Sequence, residues 1–377
     1  MKAEEFKSRL SERKLRTDLE PVKEALSRWN NFDFSIVQVV GSNGKGTVVH
    51  LLEKALNKLG RATVSCTSPH LITPTERVKY NTRPLNNSDF YGTLSELDRQ
   101  TGQSLTSFEL LFLLAVREAI EKNVDYLLLE AGMGGRWDAT SALSADWTVC
   151  TGVELEHTEY LGTTREEILS ELTAQIASES GLIVPKLETE LSDYIRKQAR
   201  KRNLKLKEVE PTEPVLAQNR QLAANTLNVL DEVQLTPAVE LLEKIEPPPG
   251  RQTLLLQNER SYFLDVAHTP AAVEAALKAR PVQDEGKWYT AFGCLQGKRA
   301  AEMINIITED CSANRLFLTA PPSPRKMALA KLVDHAPPGA KSSEAEELNQ
   351  LFLNLSEPGD GLTVIGSFSL VALFYNK

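Results

Sequence analysis

The sequence predicts an α/β protein of two domains: a larger parallel-sheet P-loop domain, then a smaller Rossmann-like α/β domain. Three observations carry this. The short β-branched run Ile36 to Val40 ends in the glycine-rich Gly41-Ser42-Asn43-Gly44-Lys45-Gly46-Thr47, after which Val48, Leu51, Leu52, Ala55, Leu56 and Leu59 recur at helical spacing. Fully apolar runs then alternate with helical patterns, as expected of a parallel sheet covered on both faces. Finally, Pro247-Pro248-Pro249-Gly250 interrupts the chain sharply, which sets domains of 1–246 and 247–377.

The elements follow in order. Leu19 to Trp29 reads as a helix with Leu19, Val22, Ala25, Leu26 and Trp29 on one face. After the glycine loop and its helix, Arg61 to Cys66 reads as a strand and Ser107 to Ile120 as an apolar helix. Tyr126 to Glu130 is an apolar strand closed by a carboxylate, and Trp147 to Val153 is another buried strand. From Ile183 to Leu216 the pattern weakens into charged helix and short strand, and Val215 to Leu230 is helical again. Past the prolines, Tyr262 to Val266, Trp288 to Phe292, Arg315 to Thr319 and Leu362 to Ile365 read as strands with helices between them.

Composition narrows the function. With 377 residues, 41% apolar and 25% charged, the chain can bury a sizeable core. A net charge of −8 argues against broad binding to nucleic acid or anionic membrane, while leaving room for one local anion site. The basic stretch Arg196 to Lys207 is read as a solvated helix face. Cys66, Cys150, Cys294 and Cys311 have no zinc-like or disulfide-like spacing, so buried free thiols are expected. The charged start, MKAEEFKSRLSERK, lacks the apolar stretch of a signal peptide, and no run is long enough to span a membrane. A cytoplasmic address and a monomer with small-molecule partners are the expectation.

The segment Gly41 to Thr47 carries the clearest chemistry. Glycines let backbone N–H groups turn inward around phosphate oxygens, at a helix N-terminus whose dipole adds attraction. Lys45 can neutralise β/γ-phosphate charge, and the Thr47 hydroxyl can meet Mg²⁺. A glycine separates Lys45 from Thr47, which departs from the general phosphate-loop spelling.

That departure resembles the loop of folylpolyglutamate synthases and dihydrofolate synthases, members of the Mur ligase superfamily. Further segments resemble the same family in order: Thr67-Ser68-Pro69-His70-Leu71 with Glu76-Arg77-Val78, then Phe108-Glu109, then Glu130-Ala131-Gly132-Met133-Gly134-Gly135-Arg136-Trp137-Asp138-Ala139-Thr140. Glu156-His157-Thr158-Glu159-Tyr160-Leu161-Gly162 follows, and beyond the prolines come Pro249-Gly250-Arg251, Asp265-Val266-Ala267-His268-Thr269-Pro270 and Gly366-Ser367-Phe368-Ser369-Leu370-Val371. The resemblance spans nearly the whole chain and implies a Mur ligase-like P-loop ATPase domain.

It also implies an ATP-dependent, ADP-forming amide ligase that joins L-glutamate to a pterin carboxylate through an acyl phosphate. ATP would lie on Gly41, Ser42, Asn43, Gly44, Lys45, Gly46 and Thr47, with Arg251, Asp265 and His268 gripping the nucleotide from the second domain. Mg²⁺ would be held by Thr47, Ser68, Glu130 and His157, a hard-oxygen set completed by an imidazole. Arg136 could hold a phosphate, and Glu76, Arg77 and Glu109 fall between substrate pocket and structural ion pairs. Two other readings remain: a Mur-type ligase for a different acid and amine, or a catalytically weakened nucleotide-binding homologue.

Some positions depart from the family pattern. The family carries a lysine, carbamylated and holding a second metal, after the histidine motif; counted without gaps from Gly162 it falls on Leu172, and a gapped placement over Ile176 to Gly181 also lacks it. A leucine can neither be carbamylated nor bind a metal. Val266 and Thr269 replace a glycine and an asparagine, and the asparagine-rich nucleotide segment is only loosely present in Gln218-Asn219-Arg220-Gln221.

Overall fold

A computed structural model describes residues 5–6, 18–29, 32–282 and 286–375. It divides into two compact units, Met1–Glu246 and Pro247–Lys377.

The first unit is built on eight strands: β1 Ser35–Val40, β2 Thr63–Cys66, β3 Val78–Tyr80, β4 Arg83–Pro84, β5 Tyr126–Glu130, β6 Trp147–Cys150, β7 Gly181–Pro185 and β8 Lys205–Val209. Their order is β4-β3-β2-β5-β1-β6-β7-β8. The six strands from β2 to β8 in that order are parallel, and β3 and β4 extend the edge antiparallel. β1 is central, with Val37 and Val39 beside Leu128 and Glu130 of β5 on one side and Trp147 and Val149 of β6 on the other.

Both sheet faces are covered, which is why the strands read as continuous apolar runs. Leu127 and Leu129 of β5 pack with the helices Asn87–Gln100 and Ser107–Glu121, through Phe90, Leu94, Leu111 and Phe112. The alternate residues Tyr126 and Leu128 pack with Leu51, Leu52 and Leu56 of the helix Lys45–Lys58 and with Leu222 and Leu227 of the helix Val215–Leu230. The period-two alternation of a strand thus divides one apolar run between two cores.

The second unit has six strands, β9 Thr253–Gln257, β10 Arg260–Asp265, β11 Trp288–Phe292, β12 Leu316–Leu318, β13 Lys341–Ser342 and β14 Gly361–Ile365, ordered β13-β12-β11-β14-β10-β9. All pairs are parallel except β9 with β10. Phe263, Phe292, Ile304, Ile307 and Ile365 lie in its core.

The four cysteines are buried and free, and burial pushes the Cys66 thiol up to about 12. The basic stretch is only partly a helix face: the helix Thr189–Arg202 carries Arg196, paired with Glu208 at 2.7 Å, and Arg202, which donates to the carbonyl of Thr173 at 2.9 Å, while Lys205 and Lys207 lie on β8. Among the described residues no helix is long and apolar enough to cross a membrane.

Candidate nucleotide and metal site

In a parallel sheet every strand delivers its following loop to the same edge, where ligands bind. Here the edge gathers the glycine loop after β1, Ser68 after β2, Glu130 at the end of β5 and the segment from Thr151 to His157 after β6.

The glycine loop is shaped by its neighbours. Gly44 caps the helix Lys45–Lys58 with φ +88°, and a Cβ there would lie 2.5 Å from Oδ1 of Asn219. At Gly41, φ +123°, a Cβ would meet the Thr151 hydroxyl at 2.4 Å. That hydroxyl donates to the carbonyl of Asn43 at 2.6 Å, and the amide of Ser42 donates to the carbonyl of Gly152 at 3.1 Å. The loop is therefore fixed from the β6 side and from the helix Val215–Leu230, leaving no room for side chains at its turning points. Lys45 folds over it, its ammonium donating to the carbonyls of Gly41 at 2.7 Å and Ser42 at 3.2 Å.

Glu130 is buried against this helix start: a Cβ on Gly46 would lie 3.2 Å from its Oε2. The same oxygen accepts the backbone N–H of Ser68 at 2.8 Å. Thr47, also buried, begins the same helix. A buried carboxylate beside a phosphate-sized backbone cradle and two hydroxyl-bearing residues fits one hard divalent ion. His157 lies in the segment after β6 in a left-handed conformation, φ +51°. Among the described residues no three His, Cys, Asp or Glu side chains form a metal cluster, so the fit rests on Glu130 with hydroxyl ligands.

The loop after β5 is tied down by Asp138, a residue whose role the sequence reading did not assign. One carboxylate oxygen accepts the amides of Met133 and Gly134 at 3.2 and 3.3 Å. The other accepts the Thr140 hydroxyl at 2.7 Å, and Thr140 in turn accepts from the buried Gln38 of β1 at 2.6 Å. Arg136 projects from this loop, more than half exposed, with Glu171 3.8 Å away; at that distance and exposure the pair holds it weakly.

Glu76 and Glu109 both hold backbone amides. Glu76 accepts the amides of Leu71, Ile72 and Thr73 at 2.8, 3.0 and 2.7 Å, which closes the turn after Ser68. Glu109 forms a capping box with Thr106, accepting its amide at 2.6 Å. Arg77 donates to Nδ1 of His70 at 2.8 Å, and burial pushes its guanidinium down to about 10.

The second-domain motifs also converge. Asp265 is buried, and its oxygens accept the amides of Gln252 at 2.9 Å and Ala267 at 2.8 Å, so it ties the turn carrying Arg251 to the end of β10. Burial raises its carboxyl above the ordinary range, opposed by Arg251. The Arg251 guanidinium lies 5.4 Å from the Phe368 ring centre, and the His268 ring 6.3 Å from the same ring. Arg251 and His268 are thus both beside the ring of Phe368, a residue to which the motif alone assigns no role.

Leu172, where the family's lysine falls by ungapped counting, lies in the core of the first unit. It is buried on the helix Arg165–Thr173, in an apolar cluster with Val40, Val153, Leu161, Ile168 and Leu169. Its Cδ2 lies 2.6 Å from where a Cβ on Gly134 would be. No donor for a second ion fits at this position.

Residues 39–229 match the family model of Mur ligase middle domains, and residues 250–368 that of the Mur ligase glutamate ligase domain. The chain is 30% identical over 296 residues to the dihydrofolate synthase/folylpolyglutamate synthase of Buchnera aphidicola subsp. Schizaphis graminum, which covers 71% of this chain and 70% of that protein. The chain belongs to the folylpolyglutamate synthase/dihydrofolate synthase family. Its members are ATP-dependent amide ligases of the Mur ligase type. The Escherichia coli K12 relative is 28% identical, covering 89% of this chain and 85% of its own length. Among solved structures, the Yersinia pestis bifunctional enzyme complexed with AMPPNP and Mn ion has a TM-score of 0.84 at 25% identity, covering 96% of this chain and 93% of that chain. ATP and a divalent metal ion are the cofactors this family membership carries.

Proposed function

We propose that this chain is an ADP-forming ligase that joins L-glutamate to a pterin-bearing carboxylate, either dihydropteroate or folate, and that Gly41 to Thr47 is its triphosphate cradle. The observation that supports this most is the convergence of the shaped glycine loop, the Lys45 ammonium and the buried Glu130 at one sheet edge, in a chain of this family. A related bifunctional folylpolyglutamate synthase/dihydrofolate synthase, 25% identical, has been solved with Mn, AMPPNP and L-glutamate bound.

In this reading the backbone amides of Gly41 to Thr47 and the Lys45 ammonium bind the β- and γ-phosphates. The acid's carboxylate oxygen attacks the γ-phosphorus, the bond to the β-bridging oxygen breaks, and ADP leaves. The glutamate amine then attacks the acyl phosphate carbonyl and inorganic phosphate departs. Bound Mg²⁺ would neutralise charge on the phosphate oxygens, held by Thr47, Ser68, Glu130 and His157. Arg136, exposed and loosely paired, is free to hold the transferred phosphate. Asp265 positions Arg251, and Arg251 with His268 contacts the nucleotide. Arg77 faces the acid substrate, while Glu76 and Glu109 shape the loops around it. The net charge of −8 supports small-molecule partners over nucleic acid or anionic membrane, and the reading includes a monomer in the cytosol.

The test is ADP release by the purified protein with ATP and Mg²⁺ across a panel of acids and amines. Release that requires both glutamate and a pterin acid supports the proposal. Release only with other acid–amine pairs supports a Mur-type ligase of different specificity.

A further inference from the structure

Position 172 sits beside the proposed phosphate cradle. Gly134 belongs to the loop after Glu130, and its absent Cβ would lie 2.6 Å from Leu172 and 4.0 Å from Val40, the last residue of β1 before the glycine loop. A side chain at 172 therefore lies beside the loop after β5, close to the end of β1. What fills that space is apolar. Leu172 is 1% exposed and clusters with Val40, Ala131, Cys150, Val153 and Leu161. Of the polar side chains nearest in sequence, Glu171 lies beside Arg136, accepting its amide at 3.4 Å, and the Thr173 hydroxyl donates to the carbonyl of Leu169 at 2.8 Å. Gln175 donates back to the carbonyl of Leu172 at 2.8 Å, and its buried Oε1, a neutral amide oxygen, is the one atom here without a hydrogen-bond partner.

We infer that this ligase works with a single divalent ion per nucleotide and without a lysine carbamate, the second-ion position being closed by the contact of Leu172 with Gly134 and Val40. The inference rests on the reading of Gly41 to Thr47 as the triphosphate cradle. Its physical basis is that a hard cation cannot stay in a pocket of methyl groups without oxygen ligands to replace its water. The ion near Glu130 keeps its carboxylate, while a second would find no anionic oxygen at 172. Carbamate formation also requires an amine and carbon dioxide, and leucine offers no amine.

The experiment is a count of tightly held Mn²⁺ per bound AMPPNP on the full chain, by electron paramagnetic resonance of free Mn²⁺ and by nucleotide retention. It is run with and without added bicarbonate at fixed pH. The expected result is one ion per nucleotide in both arms. Two ions per nucleotide, or a second that comes with bicarbonate, would overturn the inference and leave the ligase reading intact. No retained nucleotide would instead refute the cradle, and the inference with it. Because the wild-type protein is used, no outcome depends on whether a variant folds.

Discussion

His50 gives the helix that carries Lys45 a dependence on acid. It lies on the helix Lys45–Lys58, buried, with Nε2 3.1 Å from the carbonyl of Glu246 at the end of the first unit. Burial first, and then Lys79 and Lys54, push its imidazole down from 6.5 to about 4, partly offset by the Glu246 carbonyl. The sign follows from which state takes the proton. The unfolded chain protonates His50 near 6.5, whereas the folded chain holds it neutral until about 4. Its contribution to stability is therefore complete above pH 6.5 and is lost as pH falls through that window. The loss is about 2 kcal/mol at pH 5 and approaches about 3 kcal/mol at pH 4, at ~1.4 kcal/mol per pH unit. His50→Gln keeps a donor for the Glu246 carbonyl and removes the titration. The assay is denaturant unfolding of wild type and variant at pH 7.5 and about pH 5, comparing the difference between them so that carboxylates common to both cancel. The account predicts that the variant gains on the wild type by about 2 kcal/mol over that interval. A difference that does not change with pH would refute it.

Other substitutions probe the cradle and its supports. Lys45→Ala should leave the fold intact, because its two part-buried bonds to the loop are local and, as charged hydrogen bonds, worth about 1.5–3 kcal/mol each at most, and should cut ATP turnover ~10²–10³-fold or more; circular dichroism and ADP release measure the two effects. Gly44→Ala forces a left-handed residue, at about 1–2 kcal/mol, against Asn219, and should weaken binding of a fluorescent ATP analogue more than it lowers Tm. Leu172→Lys should destabilise the first unit by about 3 kcal/mol or more, because an ammonium without a partner enters an apolar cluster; an unchanged denaturation midpoint would put residue 172 at the surface. Arg136→Ala should change stability by less than about 0.5 kcal/mol yet slow turnover at saturating ATP.

The main sheet was readable because its strands are apolar on both faces and its helices have a dominant stripe. The loop at Gly41 to Thr47 was readable because cradle, lysine and hydroxyl are contiguous. What escaped was non-local or short. β3, β4 and β13 are two or three residues long, below the reach of any periodicity, and β9 is an edge hairpin with Leu254 and Leu256 exposed. The helix Asn87–Gln100 is mostly polar and contains Gly92, so its buried Phe90, Leu94 and Leu97 did not stand out. The predicted strands ran three residues past the end of β6 and one past that of β12. At the site, Thr151 and Asn219 act through contacts with residues far along the chain, which spacing does not reveal, and Asp138 acts by accepting amides of its own loop, which its spelling does not distinguish from a ligand-binding role. Glu76 and Glu109 were ambiguous because a capping glutamate and a substrate-binding one have the same spelling until the amides they accept are located.

The most direct test of the central claim is a crystal of the chain soaked with AMPPNP and Mn²⁺. The account predicts triphosphate density against the amides of Gly41 to Thr47, Lys45 turned from the Gly41 carbonyl to a phosphate oxygen, and a metal ion beside Glu130. Nucleotide bound elsewhere with Lys45 still on the Gly41 carbonyl would contradict it.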